Sequence, residues 1–316
     1  MDKITRMLRT LNQEAVDYPP VGFWFHFNGE EGMGQACVDA HLNYYRETDI
    51  DFIKIMCDGY FQFPLAVEIK EAADWRKIKP LSADHPYITE QVERARLITE
   101  GVNGECCTFY SLFAPFSCIR FATSDELVMK HLKEDPEAVL YALTVIAEDQ
   151  AALAERLIAE AGCTGIYYCL QGGEMDRFSE GEYRNLIMPS DRYVLDRANG
   201  FSPNNLLHMC GWAGVRNRLD NWREYPAKAV NWAIYVEGLG IREGREYLGD
   251  HAVLGGFDNT KSGVLHSGTR SEVEQFAKQL VAEAGTQGLI VGADCSLSHD
   301  IDRERIKWVV ETIRSA

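Results

Sequence analysis

Residues 135–170 decide the fold: DPEAVLYALTVIAEDQAALAERLIAEAGCTGIYYCL. Asp135 is a good helix N-cap and Pro136 suits the first helical position, so they predict the start of a long helix that Gly162 ends. The run Gly165–Leu170 follows directly and is rich in aromatic and apolar residues, which is typical of a buried strand. A helix that leads into a buried strand is the repeating unit of an α/β fold with a parallel sheet.

Short apolar runs and helix-like segments alternate in the same way along the whole chain. Eight of the runs are predicted strands: Val21–Phe27, Asp51–Cys57, Cys107–Phe113, Gly165–Leu170, Asn205–Cys210, Ala229–Ile234, Ala252–Gly256 and Leu289–Ala293. This alternation predicts a (β/α)8 TIM barrel, an α/β fold of typically ~250 residues. A doubly wound sheet is the competing fold, but no Gly-x-Gly-x-x-Gly opens the first βα unit. Since no linker, low-complexity segment or short repeat is present, we predict a single domain over residues 1–316.

The composition excludes several classes of protein. With 46% apolar and 25% charged residues, the chain is expected to be globular with a sizeable core. Its net charge of −16 and the lack of a basic run argue against nucleic acid or an anionic membrane as partner. No stretch approaches the roughly 18 apolar residues of a membrane span, and Met1–Arg6 opens an amphipathic helix instead of a signal peptide.

The nine cysteines are scattered, and the adjacent pair Cys106-Cys107 does not suit an ordinary disulfide framework. Reduced thiols in a cytoplasmic protein are therefore expected. Five cysteines in or beside predicted strands are assigned to the core: Cys57, Cys106, Cys107, Cys163 and Cys169.

Three soft ligands lie at the ends of two predicted strands. His208-Met209-Cys210-Gly211 ends the fifth strand and Gly292-Ala293-Asp294-Cys295 ends the eighth. Residues i and i+2 of a strand point to the same side, so the side chains of His208 and Cys210 can both reach one metal ion. An imidazole with two thiolates suits zinc and leaves a fourth coordination position open, which is a catalytic arrangement.

The metal hypothesis depends on the barrel. In a barrel the carboxyl ends of all strands meet at one mouth, whereas on a flat sheet residues three strands apart would be roughly 14 Å from one another. Taken singly, a buried His or Cys is more often ordinary core. Taken together at strand ends, His208, Cys210 and Cys295 favour a metal site.

The chain resembles the uroporphyrinogen decarboxylase superfamily, and within it the zinc-dependent cobalamin methyltransferase branch. The resemblance covers essentially the whole chain and is carried by His208-Met209-Cys210-Gly211, Asn231-Trp232, Gly255-Gly256-Phe257-Asp258-Asn259 and the segment from Gly292 to Leu297. It implies a (β/α)8 barrel. It also implies zinc bound by a His-x-Cys pair after strand five and a Cys after strand eight, which match His208, Cys210 and Cys295.

The implied reaction is methyl transfer. A metal-coordinated thiol loses its proton and stays nucleophilic at neutral pH. The resemblance implies that this thiolate attacks the methyl group of a methyl-corrinoid, which a partner protein carries. The resemblance also implies a small-molecule acceptor, which is a thiol or a related compound such as a reduced folate. The sequence leaves the acceptor and a possible homo-oligomeric state open.

Two other functions remain as alternatives. The first is a metal-free decarboxylase or lyase of the same superfamily, in which Asp58 falls near the aspartate that binds pyrrole nitrogens. Decarboxylases hold their tetracarboxylate with arginines after the first strand, and residues 26–31, His-Phe-Asn-Gly-Glu-Glu, contain none. The second is a non-catalytic or corrinoid-binding barrel that kept only the fold.

Two acidic residues near strand ends are further candidates for the reaction. Glu174, in the loop after the fourth strand, is a candidate fourth ligand, with a solvated loop carboxylate as the alternative. Asp294 is a candidate hydrogen-bond acceptor that orients His208, with bonding to its own turn as the alternative.

Contacts to substrate or corrinoid are predicted for residues in other loops. His26 is expected to line the barrel mouth, unless it is a structural histidine. Asp258 and Asn259 lie where substrate contacts occur in barrels, with turn formation as the alternative. Arg177 and Arg120 are candidates for binding an anionic acceptor tail, with surface ion pairs as the alternative.

Overall fold

The computed structural model describes residues 1–315, which form a curled parallel sheet with helices around it. Its seven strands, counted over that range, pair in chain order and every neighbouring pair is parallel. The strands are β1 (Phe52–Ile55), β2 (Cys107–Phe113), β3 (Gly165–Leu170), β4 (Leu206–Met209), β5 (Ala229–Trp232), β6 (Ala252–Phe257) and β7 (Leu289–Ala293).

Parallel pairing requires crossover connections between successive strands. These contain α-helices except between β4 and β5, where only a short 3-10 helix lies. The α-helices are α1 (Lys3–Leu11), α2 (Gly34–Thr48), α3 (Pro86–Gly101), α4 (Pro115–Ala122), α5 (Asp125–Glu134), α6 (Pro136–Ala159), α7 (Glu180–Leu186), α8 (Met188–Asn199), α9 (Ile234–Glu237), α10 (Ile241–Leu248), α11 (Val264–Ser267), α12 (Arg270–Ala284) and α13 (Arg303–Ser315). Short 3-10 helices cover Gly29–Gly32, Ala72–Lys77 and Leu219–Asn221.

The unit predicted from residues 135–170 is confirmed. The Asp135 carboxylate accepts a hydrogen bond from the Ala138 amide and caps α6, and β3 has the predicted bounds. Every residue of β3 is buried, because helices cover one face of the sheet and side chains of the curled interior cover the other. The remaining predicted strands after the first are likewise present, with ends that differ by at most a few residues.

The first predicted strand, Val21–Phe27, does not form a ladder. It makes isolated parallel bridges to β7 and to the loop beyond it, at Val291 and Leu297. On its other side the Val21 carbonyl accepts from the Asp51 amide, while the Val21 amide donates to the buried Asp51 carboxylate at 2.9 Å. The Asp51 carboxylate takes the place of a backbone carbonyl as partner of the Val21 amide. Regular strand pairing with β1 therefore stops there. The segment nevertheless connects the two outer strands of the seven-stranded sheet.

The carboxyl ends of the strands lie at one edge of this curled sheet, and the loops that follow them carry the predicted site residues. In the described part of the chain, no helix combines the length and the apolar character that crossing a membrane demands.

Candidate metal centre

The structure brings the three predicted ligands together. One nitrogen of His208 and the sulfur atoms of Cys210 and Cys295 lie within 4.8 Å of one another. His208 belongs to β4, Cys210 follows it directly, and Cys295 lies two residues after β7. The curl of the sheet joins these ends although β5 and β6 separate them in the strand order. The Cys295 sulfur is 3.5 Å from His208 Nε2.

Asn231 fixes the ring of His208. His208 Nδ1 lies 2.5 Å from the Asn231 side-chain oxygen, which accepts hydrogen bonds and cannot donate them. Nδ1 therefore carries the proton, and the Nε2 lone pair points to the cysteines. The Asn231 amide group is itself held, because its Nδ2 donates to the carbonyls of Leu254 (2.9 Å) and Ala293 (3.1 Å).

No role was predicted for Asn231, although the Asn231-Trp232 pair belongs to the sequence resemblance. The sheet register pairs His208 of β4 with Asn231 of β5, so the amide is the lateral neighbour of the ligand. A buried amide at the matching position of the next predicted strand was the signal that could have found it.

The two thiols lie side by side and affect each other's ionisation. The neighbouring Cys210 thiol lowers the pKa of Cys295. The closeness of Cys295, together with burial, raises the pKa of Cys210. The amide of Gln171 lies beside Cys210 and favours its thiolate. Arg120 orients this amide by donating to the Gln171 oxygen at 2.7 Å. A nitrogen and two sulfur donors at this spacing fit a soft divalent metal such as zinc.

The ligand group faces a cavity of about 860 Å³ at the carboxyl edge of the sheet. Its walls are largely apolar and aromatic, from Phe61, Phe113, Phe121 and Trp212 among others. Its polar lining comes chiefly from His26, Lys54, Asp58, Ser111 and Gln171. A volume of this size accommodates a small acceptor or part of a larger cofactor.

His26 and Asp58 form a hydrogen-bonded pair in this cavity. His26 Nδ1 is 2.7 Å from Asp58 Oδ1, and Asp58 Oδ2 accepts from the Phe27 amide at 2.8 Å. His26 thus lines the cavity, and Asp58 lies behind it, fixed by two hydrogen bonds.

Lys54 is a functional candidate that sequence reasoning did not identify. It is 6% exposed, lines the cavity, and its ammonium lies over the rings of Tyr167 (4.0 Å) and Trp24 (4.8 Å). Aromatic faces stabilise a cation when a carboxylate is missing. A lysine inside the otherwise apolar run of the second predicted strand was the available signal.

Glu174 does not join the ligand group. It is buried, and its Oε2 accepts from Arg177 Nε at 2.6 Å. Arg177 also donates to Asp125, which in turn accepts from Arg120. Both arginines are therefore engaged in internal ion pairs and are not free to bind an anionic acceptor tail. This network of ion pairs reaches Gln171, which lies beside Cys210. The network therefore positions a neighbour of the predicted ligands and does not bind the metal itself.

Asp294 does not orient His208, since Asn231 occupies that place. The Asp294 carboxylate accepts from the Tyr235 amide at 3.0 Å, and burial raises its pKa to about 8. Asp258 and Asn259 are not in the cavity lining. Asp258 accepts from the Thr260 amide within its own turn, and Asn259 donates to the carbonyl of Ser296, next to Cys295.

Comparison with known proteins places the chain in a family. The family model described as uroporphyrinogen decarboxylase (URO-D) matches residues 62–316. The chain belongs to the uroporphyrinogen decarboxylase family. No curated protein matches the sequence.

Several solved structures share the fold of this family member. A methyltransferase from Methanosarcina mazei has a TM-score of 0.76 at 16% identity, covering 100% of this chain and 98% of its own. A B12-independent methionine synthase from a Shewanella species has a TM-score of 0.62 at 13% identity, covering 94% and 97%. A β-mannanase from the blue mussel Mytilus edulis has a TM-score of 0.55 at 10% identity, covering 95% and 92%. These similarities concern the fold, which unrelated chemistries share.

Proposed function

We propose that this protein is a zinc-dependent methyltransferase. It moves a methyl group from a methyl-corrinoid, carried by a partner protein, to a thiol or a related acceptor such as a reduced folate. We further propose that residues 1–316 form one (β/α)8 barrel domain, in which the Val21–Phe27 segment takes the place of the first strand.

One observation carries the proposal: three soft donors converge on a cavity with one side open. His208, Cys210 and Cys295 come from distant parts of the chain, and Asn231 holds the imidazole in the tautomer that a metal requires. A buried structural His and two core thiols would not need an oriented lone pair. Three protein donors with an open position toward a cavity are typical of catalytic zinc.

The residues present fit the ion. A neutral imidazole and two thiolates balance the charge of Zn²⁺, so the filled group is close to neutral before substrate enters. Zinc, when bound, supplies a Lewis acid that favours ionisation of an incoming thiol. Around it, Asn231 holds His208 and Gln171 stabilises the Cys210 thiolate. The aromatic side chains of the cavity wall give the acceptor apolar surroundings.

The loops around the mouth support a corrinoid-protein partner. Exposed large apolar side chains follow four of the chain's extended segments at this edge: Met33, Met175, Trp212, Val215 and Tyr235. Met33 and Trp212 also line the cavity. Apolar side chains clustered around a cavity mouth are typical of a surface that another molecule covers.

The metal-free decarboxylase is less well supported. Lys54 is the one basic chain other than histidine that lines the cavity in the described residues, and no arginine does so. A tetracarboxylate needs several cations. Asp58 already accepts from His26 and the Phe27 amide, which leaves it poorly placed to bind pyrrole nitrogens.

Metal analysis of the purified protein tests the proposal. We expect about one zinc per chain, with a loss of tenfold or more in affinity for Cys295→Ser and His208→Ala. Cys163→Ser is the matched control, because this buried thiol lies before β3, at the opposite edge of the sheet. The metal assignment would be contradicted if the purified wild type held no zinc and neither substitution changed its folding or activity.

The reaction is tested with methylcobalamin and a panel of thiols. Loss of the cobalt–carbon absorbance together with formation of the methyl thioether is the expected result, and both are expected to depend on the three ligands. Conversion of a porphyrinogen by the zinc-free protein would favour the decarboxylase instead.

A further inference from the structure

We propose that His26, oriented by Asp58, accepts the proton of the thiol that binds at the His208–Cys210–Cys295 group. This inference rests on the proposed methyltransferase function and assigns to the chain itself the destination of the proton. His26 is the catalytic residue and Asp58 its positioning residue.

The pair is built as a pre-oriented proton acceptor. Because the Asp58 carboxylate accepts from the Phe27 amide and from His26, the proton of the neutral His26 ring lies on Nδ1. Its Nε2 lone pair is then free. Asp58 is held in place, since Arg94 Nη1 donates to its backbone carbonyl at 2.8 Å. Asp58 is 3% exposed, whereas the His26 side chain is 42% exposed. The carboxylate is therefore fixed and the imidazole can be reached from the cavity.

The backbone brings His26 to the cavity that the predicted metal ligands line. Phe25 forms a parallel bridge with Leu297, and the Leu297 amide donates to the Trp24 carbonyl at 2.8 Å. The segment that carries His26 thus runs along the segment that carries Cys295. Both side chains line the same cavity. A thiol that reaches the ligand group from this cavity enters the space that His26 borders.

The other titratable groups leave His26 as the available base. Those that line the cavity with it are Lys54, Asp58, Cys169, His208, Cys210 and Cys295. His208 already uses Nδ1 on Asn231 and directs Nε2 to Cys295. Burial raises the pKa of the Cys169 thiol. This thiol therefore keeps its own proton and cannot accept another. Asp58 is the one acidic lining residue in the described part of the chain, and it supplies the negative charge that a protonated His26 needs.

Proton transfer and methyl transfer are two successive steps. The thiol S–H bond breaks, the proton moves to His26 Nε2, and both electrons stay on sulfur. Sulfur then forms a bond to the methyl carbon of the methyl-corrinoid, and the carbon–cobalt bond breaks with its electron pair going to cobalt. His26 returns the proton to solvent after the thioether leaves.

Proton counting during thiol binding tests this step. The zinc-loaded protein is titrated calorimetrically with 2-mercaptoethanol at pH 7.5 in buffers of different ionisation enthalpy. We expect His26→Gln to release about one proton per bound thiol, since a coordinated thiol ionises. The wild type releases distinctly fewer, because His26 retains part of the proton. His299→Gln, the same change at an exposed histidine outside the cavity lining, matches the wild type.

The Asp58→Asn variant tests whether Asp58 positions His26 or only stabilises the fold. Without the carboxylate the imidazolium loses its partner, so proton release moves toward the His26→Gln value while zinc content stays at the wild-type level. A second readout is the pH profile. The turnover deficit of His26→Gln shrinks as the pH approaches the pKa of a free thiol, about 8.5 for a cysteine-like thiol, because the thiol then ionises unaided.

The outcomes are distinguishable. Equal proton release by the wild type and His26→Gln, with thiol binding intact in both, overturns the role of His26 and leaves the proposed function standing. A zinc-loaded wild type that binds no thiol overturns the proposed function and this inference together.

Discussion

His208 Nδ1 lies 2.5 Å from Asn231 Oδ1, and the two residues are register partners on the neighbouring strands β4 and β5. Asn231 in turn donates to carbonyls of β6 and β7. One amide therefore links four consecutive strands to the orientation of one predicted ligand. The sheet itself, and not a flexible loop, sets the direction of the His208 lone pair.

Removal of this amide is expected to weaken metal binding. For Asn231→Ala we expect zinc affinity to fall about 10–100-fold, because His208 loses its orienting acceptor. Competition with a chromophoric chelator measures the change. Asn231→Asp keeps an acceptor oxygen and is expected to retain more affinity than Asn231→Ala. Asn205→Ala removes a buried amide just before β4, where Oδ1 accepts from the Ile166 amide. It should lower stability but not zinc affinity.

Cys295 is expected to be the thiol that reacts first in the metal-free protein. It is partly exposed, whereas the other eight cysteines are buried. The neighbouring Cys210 thiol lowers its pKa, so more of it is thiolate. Iodoacetamide at neutral pH should modify about one thiol rapidly, and zinc should block that phase. Peptide mapping by mass spectrometry identifies the site. Rapid modification of a different cysteine, or a fast phase that survives in Cys295→Ser, would contradict this expectation.

Asp191 is expected to make stability depend on pH. Burial raises its pKa to about 7, while Tyr183 and Tyr225 donate to its Oδ2. Between pH 4 and pH 7 the unfolded chain loses this proton and the folded protein keeps it. The contribution of Asp191 to the free energy of unfolding is thus full below pH 4 and is lost as the pH rises through 7.

Urea denaturation between pH 4 and pH 8 measures this dependence. Relative to Asp191→Asn, the wild type should lose on the order of a few kcal/mol over that range. Asp250→Asn changes an exposed carboxylate and should leave the wild-type slope intact. Parallel curves for the wild type and Asp191→Asn would exclude a raised pKa at this site.

Gly22 is expected to be required where the Val21–Phe27 segment meets β1. A Cβ at Gly22 would lie 2.2 Å from the Phe52 ring, so Gly22→Ala forces a shift in packed core. We expect a loss of about 1–3 kcal/mol in unfolding free energy, measured by denaturation. Gly181→Ala is the matched control. It lies in α7 with open space around its Cβ position, and it should be neutral or stabilise by up to about 1 kcal/mol.

Local signals in the sequence were sufficient for most of the fold. The caps at Asp135 and Pro136 and the apolar runs of β2, β3 and β7 report backbone preference and burial, which neighbouring residues along the chain largely set. The Val21–Phe27 segment shows the limit of such signals. It has the pattern of a strand. However, the Val21 amide donates to the carboxylate of Asp51, 30 residues away along the chain, instead of to a backbone carbonyl of a neighbouring strand.

The sequence by itself determined the alternation of helices and strands and the chemical type and spacing of His208, Cys210 and Cys295. Only the tertiary structure decided their partners. It chose Asn231 over Asp294 to hold His208, committed Glu174 to Arg177, and placed Lys54 and the His26–Asp58 pair in the cavity. The physical reason is that strand periodicity states which face a side chain takes, whereas its partner depends on register and curl of the whole sheet.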